Sequence, residues 1–256
     1  MDFLTTILIS LVEGITEFLP ISSTGHMIIV SDFLNLKQTD LLKSFETSIQ
    51  LGAILAIVFI YKEKVSFNKI SLWWKIFLSF LPVAVFGLFF AEEIKNLFSV
   101  KIVAVMFIVG GIALLFSEKI YQKNRNKEIN NIEKISLKQS LIIGLFQILS
   151  LIPGTSRAGA TIFGAMSLGI NRKISAEFSF LLAIPVMFAV FVYEFFDAVQ
   201  FLNKENLIFF SIGFLISFTT AYFSVKLFIK FLTNFSLFYF GIYRIIFGII
   251  LLIFFL

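Results

Sequence analysis

Apolar residues fall in ten blocks along this chain, near 3–19, 22–36, 45–61, 73–90, 101–117, 139–152, 156–169, 176–196, 207–225 and 237–255, with short polar stretches between them. A helix needs about 20 apolar residues to cross a bilayer, and a block of about 10–14 suits a re-entrant or buried segment. Four blocks are short or broken by Pro and Gly: 3–19 and 22–36 join at Pro20, and 139–152 and 156–169 join at Pro153-Gly154. The other six read as full spans.

The pattern also repeats. Residues 14–24 (GITEFLPISST) match 144–157 (GLFQILSLIPGTSR) if three residues are inserted in the second copy. Glu17 then stands opposite Gln147, Pro20 opposite Pro153 and Ser23 opposite Ser156. Phe45-Glu46 and Ala176-Glu177 match at the heads of two later blocks; the alternative is chance similarity among apolar segments. Each half holds one broken hairpin and three spans. A hairpin does not change sides and three spans do, so the halves have opposite orientation, and inverted repeats of this kind place broken helices and binding sites near the midplane. Irregular backbone at that depth must be buried in protein or line a cavity. The expected fold is an all-α integral membrane protein with two inverted-topology repeats, each a broken re-entrant helix hairpin plus three transmembrane helices. It forms a single membrane domain over 1–256, with repeat one at 1–118, a cytoplasmic loop at about 118–138 and repeat two at 139–256.

Composition agrees. The chain is 59% hydrophobic and 14% charged, with mean hydropathy +0.97, against roughly 45–50% and about 25% in soluble domains. The net charge of +5 reads as loop charge facing a cytoplasmic leaflet, not as nucleic-acid binding. Lys62, Lys64 and Lys69 occupy one loop, and Lys119, Lys123, Arg125, Lys127, Lys134 and Lys138 another; Lys226 and Lys230 fall on the same side. These loops face the cytoplasm, the 91–101 loop and both termini face outward, the first hairpin enters from outside and the second from inside. The first apolar block starts at Phe3 without a basic leader or a small-residue cleavage site, so it is expected to remain in the mature fold. Cysteine is absent and His26 is the sole histidine, which excludes thiol chemistry and a multi-histidine zinc site.

Ionisable groups inside apolar sequence default to function. Residues 13–26 hold Glu13, Glu17, Ser22, Ser23, Thr24 and His26. Glu13 and Glu17 are four apart, on one helix face; a cation between them or a shared proton makes the pair tolerable, and oxygen ligands suit Mg²⁺ or Ca²⁺. Ser22, Ser23 and Thr24 stand where a new helix starts, a site for capping or for a phosphate. His26, one turn after Ser23, can reach its hydroxyl or a leaving group, or it can serve as a structural hydrogen-bonder; a serine nucleophile needs an adjacent base. In the second half, Gly154, Thr155, Ser156 and Arg157 combine close backbone approach, hydroxyls at a helix start and a fork that fits phosphate oxygens, or a salt bridge to Glu13 or Glu17. Arg244 beside Tyr243 either joins the pocket or snorkels, Glu46 and Glu177 read as helix N-terminal acids, and Trp73 and Trp74 as interfacial anchors.

E-G-I-T-E-F-L-P-I-S-S-T-G-H-M (13–27) and P-G-T-S-R-A-G-A-T (153–161), with F-E-T-S-I-Q-L-G-A-I-L-A (45–56) and A-E-F-S-F-L-L-A-I-P (176–185), closely resemble the signature regions of bacterial undecaprenyl-pyrophosphate phosphatases of the bacitracin-resistance type. The resemblance covers nearly the whole chain; one departure is Ala158, where the family usually has serine. It implies a plasma-membrane enzyme, with its site facing outward, that converts undecaprenyl diphosphate to undecaprenyl phosphate, recycling the carrier for peptidoglycan and other wall polymers and conferring bacitracin resistance. It further implies Ser23 as nucleophile, with His26 as the rival, Arg157 on phosphate, His26 as acid or base, Glu13 and Glu17 as metal ligands or proton acceptors, and a divalent cation. A homodimer is compatible with it. The competing reading is a polyprenyl-phosphate transporter or flippase that uses the same inverted-repeat pocket; the Ser23–His26 pair beside two carboxylates separates the two. A structural subunit of a cell-wall complex leaves the buried charges unexplained.

Overall fold

A computed structural model describes residues 2–124, 128–199, 201 and 203–255. Arg125 and Lys127 lie outside the described residues. All ten apolar blocks are helices: α1 Phe3–Thr16, α2 Ser23–Phe33, α3 Asp40–Ile60, α4 Ile70–Phe89, α5 Val100–Asn124, α6 Leu137–Gln147, α7 Arg157–Ser167, α8 Arg172–Val199, α9 Lys204–Asn234 and α10 Phe238–Phe255. Among the described residues there is no strand, only an isolated bridge between Ile129 and Ile170. The starts follow from local chemistry. Asp2 accepts the Thr5 amide at 2.8 Å, Thr39 caps α3, and Ser136 with Gln139 forms a reciprocal capping box on α6, each meeting amides that have no partner within the helix.

Among the described residues, six helices are long and apolar enough to cross a membrane: α3, α4, α5, α8, α9 and α10. At 1.5 Å per residue, α1, α2, α6 and α7 extend about 16–21 Å, short of the roughly 30 Å hydrocarbon core. The apolar windows of α3 and α8 are 56% buried, against 22–33% for the other four spans. These two are therefore the inner pair, and the rest present Phe, Leu and Ile outward. Lipid tails are as apolar as the side chains, so helix contact here depends on close packing. Small residues provide it: a Cβ on Gly52 of α3 would stand 2.5 Å from the Phe214 carbonyl of α9, and one on Gly144 of α6 would stand 2.4 Å from the Ser79 carbonyl of α4.

The basic loops meet at one end. Lys69 pairs with Glu133 at 2.6 Å, Lys75 donates to the Glu133 carbonyl, Lys64 pairs with Glu177, and Arg172 grips Glu118, which also accepts the Leu237 amide. This collects the 62–69 and 128–136 connections and the turn before α10. Trp73, whose indole N–H donates to the Val65 carbonyl, and exposed Trp74 lie in the first turns of α4 at this end. The 91–99 connection lies at the far end of α4. One expectation is corrected: Glu46 and Glu177 are not in first turns, because Thr39-Asp40 and Asn171-Arg172 start their helices earlier than the apolar pattern indicates.

Gly144→Ala drives a methyl into backbone, not into a movable side chain. It should lower stability by about 1–3 kcal/mol, read as a lower melting temperature in detergent. Gly87→Ala, whose Cβ meets only Leu151 at 3.8 Å, should melt near the wild type.

Candidate active site

Two helix breaks build the site. Pro20 and Pro153 interrupt helical hydrogen bonding. After each, a serine takes a left-handed conformation, Ser22 at φ 72° and Ser156 at φ 72°, and caps the next helix. The Ser22 hydroxyl accepts the Gly25 amide at 3.2 Å, and the Ser156 hydroxyl accepts the Gly159 amide at 3.0 Å. A non-glycine residue at positive φ costs on the order of 1–3 kcal/mol and marks functional sites. The geometric counterparts are therefore Ser22 with Ser156 and Ser23 with Arg157, one residue off the pairing read from sequence. The second break carries an extra four-residue 3₁₀ turn, Ile148–Leu151, where the alignment needed three inserted residues.

The breaks exchange charge. Glu17, just past the end of α1, receives Arg157 Nη2 on Oε1 at 2.9 Å and the Ser23 hydroxyl on Oε2. Arg157 Nη1 donates to the Ser179 carbonyl at 2.9 Å, its Nε is buried without a partner, and the guanidinium lies over the Phe18 ring. The pair is nearly dry, with side chains 9% and 5% exposed. Glu17, Ser23 and Arg157 thus form one contiguous unit.

That unit lines a cavity of about 860 Å³ together with Ser22, Thr24, Gly154 and Ser156, within the usual range for ligand pockets. Met27, Ile28, Val83, Leu151 and Val186 form an apolar wall, and exposed Lys43 and Lys95 stand at the mouth, on the end opposite the basic loops. Both α2 and α7 start at this cavity, so amides and positive dipole ends face it.

Four candidate residues stand outside the cavity lining: Glu13, His26, Thr155 and Arg244. His26 does not line the cavity. Its Nδ1 donates to the Ser22 carbonyl at 2.7 Å, which leaves Nε2 of the neutral ring to accept from the Tyr243 hydroxyl at 2.6 Å, and the ring stacks on Phe247. The structure brings Ser23 to Glu17 and not to His26. Thr155 is buried behind the lining, and its hydroxyl has no partner. Gly154 has φ 90°, and a Cβ there would stand 2.7 Å from the Val103 carbonyl, so glycine is required. Arg244 neither lines the cavity nor snorkels; it is fully buried behind both breaks.

Glu13 lies one turn before Glu17, and both its oxygens are buried without hydrogen-bond partners. Such a carboxylate calls for a proton or a cation. No cluster of three His, Cys, Asp or Glu side chains exists among the described residues. Of the two carboxylates, Glu13 has both oxygens free for a hard cation of the Mg²⁺ kind, whereas the Glu17 oxygens already accept from Arg157 and Ser23, so the pair fits such a cation once one of those donors lets go. Sequence reading missed the outer cavity residues Thr47, Gln50 and Glu194, with Thr47 bonded to Glu194. The signal for Glu194 was an acid inside the apolar 176–196 block; Glu46, read as a helix-end acid, lines the cavity too.

The family model described as bacitracin resistance protein BacA matches residues 6–250. Similar curated proteins named undecaprenyl-diphosphatase include one from Sulfurimonas denitrificans, 55% identical over 255 residues and 100% of both chains. Another, from a Sulfurovum species, is 52% identical over 98% of this chain and 99% of its own. One from Methanococcus aeolicus is 48% identical over 100% and 99%.

Replacing Glu17 by Gln leaves the Arg157 charge buried beside a neutral amide, and should cost about 3–5 kcal/mol of stability. Adding Arg157→Met should recover much of that loss. The unfolding free energies of wild type, both single variants and the double variant close the cycle; additivity within about 0.5 kcal/mol would mean that the pair is not energetically coupled.

Proposed function

This chain belongs to the bacitracin resistance protein BacA family, and from that membership we propose that it hydrolyses undecaprenyl diphosphate to undecaprenyl phosphate and inorganic phosphate. The activity recycles the lipid carrier of wall synthesis and confers bacitracin resistance. The observation that carries the reading is the Ser23–Glu17–Arg157 unit at a cavity with an apolar wall: a hydroxyl bonded to a base, beside a cation suited to a phosphoryl group. The polyprenyl chain lies along Met27, Ile28 and Val83 and runs out into the bilayer.

The diphosphate offers Arg157, which lines the cavity, a second anion. Its arrival loosens the grip of Arg157 on Glu17, and the freed carboxylate takes the Ser23 proton. Ser23 Oγ then bonds to the terminal phosphorus as the bridging P–O bond breaks, and the lipid phosphate leaves with the bridging oxygen. Water attacks the phosphoserine: its oxygen joins phosphorus as the Ser23 Oγ–P bond breaks, and both water protons leave on the phosphate. Glu17 returns the held proton to Ser23. Arg157 and the amides at the starts of α2 and α7 stabilise the charge on the transferring group. His26 acts on this site through the Ser22 carbonyl; a direct acid–base role requires it to leave Tyr243. Glu13 and Glu17 would hold a divalent cation, Mg²⁺ or Ca²⁺. When bound, it supplies positive charge to the phosphate oxygens.

The fold reads as two inverted repeats, each a re-entrant hairpin and three spans. Support comes from the matching serine turns at the two breaks, the four helices too short to span, and three long helices after each break. Positive charge retained in the cytoplasm puts the basic end inside and the cavity mouth outside, in a multi-pass plasma-membrane protein.

The test is phosphate release from a polyprenyl diphosphate by purified protein. Wild type should release phosphate with Mg²⁺ or Ca²⁺ and stop with chelator. Ser23→Ala should fall to background and Arg157→Ala by about 10²–10³-fold in kcat, with both variants folded. A folded wild type that leaves the substrate intact would overturn the reading and turn attention to lipid-phosphate transport.

A further inference from the structure

Arg244 of α10 is 0% exposed. A buried guanidinium normally takes a carboxylate. This one spends four of its five N–H groups on main-chain carbonyls: Nη1 on Pro20 at 3.0 Å, Nη2 on Gly154 at 2.8 Å and Met106 at 2.9 Å, and Nε on Phe107 at 3.3 Å. Pro20 and Gly154 belong to the two different breaks, and Met106 and Phe107 to α5. Backbone makes room for the fork: a Cβ on Gly110 would stand 2.1 Å from Arg244 Nη2, and one on Gly159 would stand 3.4 Å from Nη1.

The two break carbonyls occupy equivalent places. Ser23 is three residues beyond Pro20, and Arg157 is three residues beyond Gly154. One planar group therefore fixes the chain just upstream of the hydroxyl and just upstream of the cation. Among the described residues, two other polar links join the breaks, the Arg157–Glu17 pair and a Ser156 hydroxyl on the Leu19 carbonyl at 3.4 Å, near the limit of a hydrogen bond, beside the Arg157 contact with the Phe18 ring. The ion pair loosens when phosphate claims Arg157. The Arg244 guanidinium does not line the cavity, so the anion does not compete for it and the fork persists.

The geometry points to Arg244 as a positioning residue for phosphoryl transfer, holding the two helix breaks in register so that Ser23 and Arg157 meet the same phosphate. It rests on the phosphatase reading and acts wholly through backbone, since Arg244 does not line the cavity. Lysine keeps the charge but cannot spread donors in a plane over both breaks. A misplacement of about 1 Å is worth roughly 10²-fold in rate.

The experiment uses purified full-length protein, a polyprenyl diphosphate and phosphate release per folded molecule, with wild type and Gly87→Ala as controls. Arg244→Lys should lose about 10²-fold in kcat with KM little changed. Gly110→Ala keeps the arginine but displaces it, and should lose kcat in the same way. Guanidinium ion should partly restore Arg244→Ala, where equal ammonium does not. Wild-type kcat in folded Gly110→Ala, a change confined to KM, or collapse of the fold in all three variants would overturn the proposal, the last by assigning Arg244 to stability alone. An inactive, folded wild type would instead count against the phosphatase reading.

Discussion

A helix interrupted in a buried setting leaves amides and carbonyls that need partners, and this fold is arranged around meeting them. The Ser22 and Ser156 hydroxyls take amides at the starts of α2 and α7. Arg244 takes a carbonyl from each break, and its own charge is met by those dipoles. The rest follows from that accounting. α5 and α10 pack against each other and so deliver the arginine behind the breaks. The inner spans α3 and α8 supply cavity-lining residues such as Glu46 and Val186. The breaks can then present side chains to a cavity without exposing their backbone.

Charge is handled in the same economical way. Glu17 serves two donors at once, the Arg157 fork and the Ser23 hydroxyl, so the carboxylate that neutralises a buried cation also aligns the hydroxyl beside it. Glu13 stands outside this arrangement with both oxygens unpartnered, one helical turn from a site whose expected ligand is anionic. Loop charge is settled separately, in exposed pairs such as Lys69–Glu133, where solvation costs little.

Much of this was legible from residues alone. The ten helices, the two breaks and an Arg157 salt bridge to one of the first-half carboxylates follow from apolar periodicity, from proline chemistry and from the rule that buried charges find partners; that Ser23 bonds Glu17 and not His26 does not. What was not legible depends on direction. His26 is one turn from Ser23, but its ring turns toward Tyr243, and a spacing along the helix does not fix which neighbouring helix a side chain meets. Arg244 read as a choice between pocket and interface, because its true partners are backbone carbonyls, which carry no signature in sequence. The one-residue shift that pairs Ser22 with Ser156 needed the positive φ of both. Glu46 and Glu194 were hidden by the apolar blocks around them.

The Arg157–Glu17 pair has one more consequence. Glu17 is a tethered competitor for the phosphate position, present at the high effective concentration that attachment to the same scaffold gives. An anion held by only a few contacts cannot displace it. A diphosphate that also buries a prenyl chain along the apolar wall brings enough binding free energy to do so. Inorganic phosphate, which has lost that chain, competes with the tethered carboxylate without that contribution. On the phosphatase reading, the resting ion pair thus discriminates between anions that carry a lipid and anions that do not.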